Sequence, residues 1–349
     1  MKKILVLINL LFLFSGCYNY KELNNYAIVT GMAIDKENKN YQVSILVSNP
    51  EKNNTSEKFT IYTEKEKTIE KAMEQIELML PKEIYIGHLS ILIISDKVAQ
   101  DGINDTLNFF LQEKESSNNF FIALSKNVDA KDILLSKSNI IDFPSQYLSN
   151  NIKNQSKSTP VTFNSLIYKL TNKGTNPIIT SFELKNNQAK ISDMGIFKYE
   201  KLAGWTNEKE NIGIKIINNE MKNFVFDNKL NNITINNIKC KKAIKGNNVF
   251  LYIKANGVVK NNNKVKNEII EEEIKKYIKA AIKKSKKIES DIFDIGLIYY
   301  QNKTKEFYKI KNWNKHFKKL KFHINVKVSI DKNNLENKRI ERIKDEKNE

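Results

Sequence analysis

Helix and strand patterns alternating through the first half, strand runs paired across short polar turns, and an apolar leader that ends in a cysteine predict a mixed α+β protein. The expected body has several domains, three in number, with antiparallel-rich sheets behind a lipidated N terminus. A chain of 349 residues exceeds what one hydrophobic core usually organises. Hydrophobic residues at 40% and aromatics at 10% suffice to bury real cores, which excludes a disordered chain.

In the leader, Lys2 and Lys3 form a positive start, Ile4 to Phe14 is apolar apart from Asn9, and Ser15 and Gly16 place small side chains before Cys17. As a helix the apolar run spans about 16 Å, roughly half of a ~30 Å hydrocarbon core, so it reads as a signal peptide cleaved between Gly16 and Cys17 rather than a permanent span. The Cys17 thiol is the group that accepts a diacylglyceryl chain. Two or three acyl chains, at about 0.8 kcal/mol per buried methylene, make a durable anchor where one chain is marginal. Position 14 is Phe, where bacterial lipoproteins more often carry Leu. With Cys17 lipidated only Cys240 remains, so no intramolecular disulfide is expected, and Cys240 reads as a half-buried free thiol in preference to a reactive one.

The net charge is +18, from 58 Lys and Arg against 40 Asp and Glu, and removing the leader takes away two of these charges. Nearly all the cations are Lys in a sequence rich in Asn and Ile, a bias expected of AT-rich codons. Nucleic-acid binding calls for Arg clusters and stacking platforms that are not evident, so nucleic acid is not expected as a partner. Anionic headgroups beside a tethered body suit the charge better.

Along the body, residues 17–25 form the lipidated tether. Ala27 to Ile34 and Tyr41 to Val47 read as a hairpin, followed by a strand near Phe59 to Tyr62 and a helix from Thr68 to Leu80 stopped by Pro81. Leu89 to Ile94 is a continuous apolar run, suited to a central strand covered on both faces. A helix over Val98 to Leu111, a strand at Phe120 to Leu124 and a helix start at Asp129 complete an N-terminal α/β domain over 26–137. Ile140 to Thr159, polar and flanked by Pro144 and Pro160, reads as a connection opening a middle region over 138–230. There Met194 to Phe197 and Leu202 to Trp205 predict a second hairpin. A C-terminal α+β domain over 231–332 has strands at Asn232 to Ala243 and Asn248 to Val259. Its amphipathic helix, Glu268 to Ile288, carries acidic residues toward its start and Lys toward its end, and reads as core-facing in preference to membrane-inserted. The last strand alternates Leu320, Phe322, Ile324, Val326, Val328 and Ile330 with polar residues. Residues 333–349 form a charged tail.

No catalytic constellation emerges. His88, His316 and His323 have no metal-ligand spacing, and neither a Gly-rich phosphate loop nor a nucleophile elbow is present. The carboxylates at Glu271 and Glu272 read as helix-start charges. The expectation is a protein that is not an enzyme and needs no cofactor or metal.

Ordered landmarks point instead to a family. The lipobox cysteine is followed by Lys21 to Asn24. The Ala27 to Asp35 strand, with Gly31 and Asp35, is similar to an "AIVTGIGID" element. Gly87-His88-Leu89 resembles a "GHL" motif, and Ala130 to Leu134 matches "AKDIL". Gly195-Ile196-Phe197, Leu202 and Gly204-Trp205 resemble "GLAVFK…LVGW". Asp291-Ile292-Phe293, Gly296, Trp313, Phe317 and the final strand resemble a "D-x-F-G-x-G…W…F…VNVKV" signature. Together they resemble the Ger(x)C lipoproteins, the C subunits of spore germinant receptors. Two departures stand out: Asp294 occupies a position where the family usually has Gly, and Gln112 to Asn118 lacks a "RDPEIR" kind of motif. The resemblance implies a three-domain α+β, non-catalytic receptor subunit. It would be lipid-anchored on the outer face of the spore inner membrane, beside an A-type multi-spanning and a B-type permease-like subunit. Of the motif residues, Gly31, Gly195, Gly204 and Gly296 are expected to serve turns, Trp205 and Trp313 to fill cores, and His88 to satisfy a local hydrogen bond, in preference to partner contact. A solute-binding or cell-envelope lipoprotein serving a transporter is the alternative.

Overall fold

The computed structural model describes residues 25–49, 58–113, 117–136, 143–225, 233–259 and 266–332. The leader, Gly16, Cys17, the Lys21 to Asn24 element and the charged tail lie outside the described residues.

The chain enters as a long hairpin of β1 (Tyr26–Glu37) and β2 (Asn40–Ser48), extended by β3 (Phe59–Glu66). Thr68 caps α1 (Ile69–Glu77) by accepting a hydrogen bond from the Lys71 N–H at 3.2 Å, and the helix ends before Pro81. After β4 (Glu83–Tyr85) comes β5 (Ile91–Ser95), buried along its whole length. Ile91 and Ile93 enter one core while Leu92 and Ile94 enter another, as a strand between two helical layers requires. The single helix expected over Val98 to Leu111 is two: α2 (Asp96–Asp101) stops at Gly102, whose φ of +125° no helix can continue, and α3 (Asn104–Gln112) restarts after Ile103.

β6 (Phe121–Ser125) and α4 (Ala130–Leu134) follow. The expected connection at Ile140 to Thr159 instead contains α5 (Pro144–Asn154); residues 140–142 lie outside the described residues. Its Ser and Asn content hid a buried stripe of Pro144, Leu148 and Ile152 at spacings of four, with Pro144 in the first turn where a missing N–H costs nothing. Next come α6 (Phe163–Thr171), β7 (Ile178–Lys185), β8 (Gln188–Lys198) and β9 (Lys201–Trp205).

These strands form one sheet, nine-stranded among the described residues, in the order β3-β2-β1-β5-β6-β7-β8-β9, with β4 beside β1. Its centre is parallel and its flanks are antiparallel hairpins. α1, α2, α3 and α6 bury apolar side chains on one face, α4 and α5 on the other.

Downstream, α7 (Glu208–Ile217) starts from a capping box of Asn207 and Glu210. β10 (Phe224–Val225), β11 (Ile233–Lys245) and β12 (Asn248–Val259) run antiparallel. The 22-residue α8 (Asn267–Ile288) then leads through α9 (Ile295–Asn302), α10 (Thr304–Phe307) and α11 (Trp313–Lys319) to β13 (Lys321–Lys332), which pairs with β12 in parallel. The stripe Ile270, Ile274, Ile278 and Ala281 of α8 covers the inner face of this second sheet. Ile178, Met194 and Ile196 of β7 and β8 enter the same core, so the end of the large sheet and the small sheet share apolar contacts. No described helix is long and apolar enough to cross a membrane.

α7 and α8 touch at Gly213, where an added Cβ would strike the Tyr277 carbonyl oxygen and the Ala281 methyl. In a free helix Gly→Ala stabilises by about 1 kcal/mol. Here Gly213→Ala should instead destabilise by about 2 kcal/mol, because two backbones must move apart; urea denaturation of the pair of proteins reads the sign.

Candidate functional site

On β1, Gly31, Ala33 and Asp35 point to the face under α4 and α5, while Met32 and Ile34 point to the opposite core. A Cβ on Gly31 would collide with Leu134 and crowd Ser145, so glycine lets both helices approach the strand. Asp35, buried, accepts from the Ala130 N–H at 2.7 Å through Oδ1 and from the Lys131 N–H at 3.0 Å through Oδ2. The strand thus supplies the negative charge at the start of α4, whose own Asp129 makes no side-chain cap. Two motifs 95 residues apart in sequence form one contact. Burial pushes the Asp35 carboxyl up to about 6, the two N–H donors pull it down, and Asp129 and Asp132 raise it further.

A second carboxylate organises the other end. Asp291 lies just beyond α8, fully buried. Its Oδ2 accepts from the Gly296 N–H at 2.7 Å and from Trp313 Nε1 at 2.9 Å; its Oδ1 accepts from the Phe293 and Ile295 N–H groups at 3.1 and 3.3 Å. Gly296 must be glycine, because a Cβ there would enter the Trp313 indole and press on Gly174. The Asp291 carbonyl takes the Asn176 N–H at 2.8 Å, Asn176 Nδ2 donates to Asn314 Oδ1 at 2.9 Å, and Asn176 Oδ1 accepts from the Tyr199 N–H at 2.9 Å. This buried polar chain ties α11, the approach to β7 and the β8–β9 turn together. Burial pushes the Asp291 carboxyl up to about 6 against the pull of Gly296, Trp313 and Phe293.

Asp294 has φ +60°, left-handed backbone that glycine adopts without cost. Its carboxylate pairs with Lys169 of α6 and accepts from the Thr175 hydroxyl, ties that glycine would not make.

The remaining motif residues do not join either cluster. Gly87 sits against the Tyr85 ring, and exposed His88 meets that ring edge-on at 5.7 Å. Gly195 and Gly204 lie within β8 and β9, where a Cβ would press on Leu124 and Ile288 respectively. None of Gly31, Gly195, Gly204 and Gly296 lies in a turn; each relieves a close approach inside an element. Trp205 packs partly buried on the large core with Lys126 Nζ 5.4 Å from its ring centre, and Trp313 is buried in the second core. Asn176, Asn314 and Lys169 carry no local sequence signal beyond the turn dipeptide Asn176-Pro177.

The Asp35 and Asp291 oxygens are filled by protein donors, so the arrangement clamps elements and leaves neither group to exchange a proton with a ligand. Cys240 is buried, and burial pushes its thiol up to about 11, away from thiolate chemistry. A cleft of about 480 Å³ between the β7–β8 hairpin and α7 is walled in part by Lys215, whose amine donates to the carbonyls of Ser156 and Ser158. Among the described residues, no cluster of three or more His, Cys, Asp or Glu could hold a metal.

A family model described as the spore germination protein N-terminal domain matches residues 19–184, and one described as spore germination B3/GerAC-like, C-terminal, matches residues 192–334. The putative spore germination protein YfkR of Bacillus subtilis (strain 168) is 24% identical over 208 residues, 54% of this chain and 54% of that protein. The match thus spans about half the length of that curated relative. The crystal structure of the GerBC protein shares the fold with a TM-score of 0.53 at 17% identity, covering 86% of this chain and 96% of that one.

Both clustered carboxyls have folded values near 6 against an ordinary 3.8. Between those values the folded chain holds protons that the unfolded chain has released, so their contribution to stability is greatest at the acid end and declines as pH rises toward 7. Asp291→Asn should remove one of these two uptake steps. It also turns an amide donor toward existing donors, for a loss of about 2–4 kcal/mol; urea melts at about pH 5 and 7, followed by tryptophan fluorescence, measure both effects. Asp294→Ala should lose about 2 kcal/mol, from the ion pair and the left-handed backbone together, whereas Asp294→Gly should stay within about 1 kcal/mol of the parent in the same melts.

Proposed function

This chain belongs to the Ger(x)C family of spore germination proteins, and from that membership we propose that it is the lipid-anchored, non-catalytic C subunit of a spore germinant receptor. In this reading Cys17 carries the acyl chains and the body stands on the outer face of the spore inner membrane. An A-type multi-spanning subunit and a B-type permease-like subunit are its partners. The observation that carries the reading is the extent of the family match, from residue 19 to residue 334, which takes in both the Asp35 and the Asp291 clusters. The saturation of those carboxylates supports a scaffolding role over acid–base chemistry. The lipobox pattern before Cys17 supports the tether.

Native protein from spore membranes should begin at an acylated Cys17 by mass spectrometry, stay with membranes in high salt, and co-purify with both partner subunits. Cys17→Ala should leave the body folded, release it to the soluble fraction and slow germination. An intact, unmodified Met1 in the native protein, or normal germination by the unacylated variant, refutes the reading.

A further inference from the structure

The outward face of the second sheet is basic in a way that folding does not explain. α8 covers the inner face, and the opposite face is exposed. Strand register sets Lys239 of β11, Lys254 of β12 and Lys327 of β13 directly side by side in one row. A second row, Lys245, Asn248 and Lys321, lies six residues along, about 20 Å away at ~3.3 Å per residue. Lys241 lies between them. Like charges directly opposite on neighbouring strands are destabilising. By register Asp331 of β13 falls four residues beyond Lys327, outside both rows, and among the described side chains none of these six lysines forms an ion pair. Some lysines elsewhere are paired, as at Lys275 with Glu272 and Lys318 with Glu289, and others stand singly among the described residues, as at Lys279 and Lys283; what sets this face apart is the alignment of its lysines across three strands.

We propose that this face docks on the anionic headgroups of a lipid bilayer, so that the second sheet lies against the membrane. The inference rests on the proposed function for the nearness of a bilayer, and adds which side of the body meets it. Charge complementarity selects the occupant: a broad pleated face of unneutralised lysines matches a sheet of phosphates, each lysine acting as a point charge with no need of fixed geometry. Tyr252, half exposed among them, is a residue type at home at headgroup depth. A nucleic acid would need open ring faces for its bases, but the rings of this face engage one another: Phe250 stacks with His323 at 4.8 Å and 16° and lies against Tyr252 at 6.4 Å and 14°. Every cation on the face is Lys rather than Arg.

The test uses the full acylated chain on vesicles of neutral phosphatidylcholine, with or without about one third phosphatidylglycerol, and reads the chemical labelling of single lysines by mass spectrometry. Labelling of Lys239, Lys254 and Lys327 should fall about fivefold on the anionic vesicles, stay unchanged on neutral ones, and recover in about 0.5 M NaCl. Lys279 and Lys283, exposed on α8, should label equally throughout. The triple variant Lys239→Gln, Lys254→Gln, Lys327→Gln should melt at the same temperature or higher and lose the protection of Lys241 and Lys321. Equal labelling on both vesicles overturns the proposal, as does protection by a single-stranded oligonucleotide but not by vesicles. Flotation with neutral vesicles reports the Cys17 tether separately: a chain that does not float there refutes the tether, while labelling on excess anionic vesicles still decides the face.

Discussion

Removing a carboxylate from water is costly unless donors replace its hydration, and Asp291 meets that condition with four N–H groups drawn from its own loop, from α9 and from the Trp313 indole. Because those donors sit on separate pieces of chain, satisfying one side chain fixes the turn after α8, the start of α9 and the position of α11. The same loop, through its backbone carbonyl and Asn176, reaches the large sheet. Asp35 repeats the solution on a smaller scale at α4. Each of the two sheets therefore has beside it a buried acid whose donors come from separate pieces of chain.

Close approach is the complement of this polar bonding. Gly31 brings α4 and α5 onto β1, Gly213 brings α7 onto α8, and Gly296 brings the Trp313 ring and Gly174 together. Asp294 shows how a family position can tolerate exchange. The backbone keeps the left-handed shape that favours glycine, and the side chain offsets its own strain by reaching Lys169 and Thr175.

Periodicity made part of this architecture legible. β13 alternates as its sequence reads, α8 carries its stripe, and β5 is buried on both faces as an unbroken apolar run implies. Elements hidden by composition were not legible. α5 is mostly Ser, Asn and Gln around three buried apolar positions, and α9 to α11 are too short to show a period. The helix α7, not among the elements expected from the sequence, starts from the capping box of Asn207 and Glu210. Among the motif residues, Asp35 and Asp291 stood out singly, but their partners did not. Ala130 lies 95 residues from Asp35 and Trp313 lies 22 from Asp291, and no local pattern encodes such pairings. A turn is glycine's commonest local use and the reading its sequence invites, whereas collision with a distant side chain is visible only in three dimensions.

The parallel pairing of β12 with β13 has a consequence for assembly in time. A parallel neighbour needs a long crossover, and here α8, α9, α10 and α11 all lie within it. As the ribosome extends the polypeptide, the small sheet stays a hairpin without its third long strand until residues 321–332 have been made. The loop-closure entropy of that crossover is then met in a single step. Trp313, only a few residues upstream of β13, joins Asp291 in the same late interval, so the Asp35 and Asp291 clusters mature at different moments.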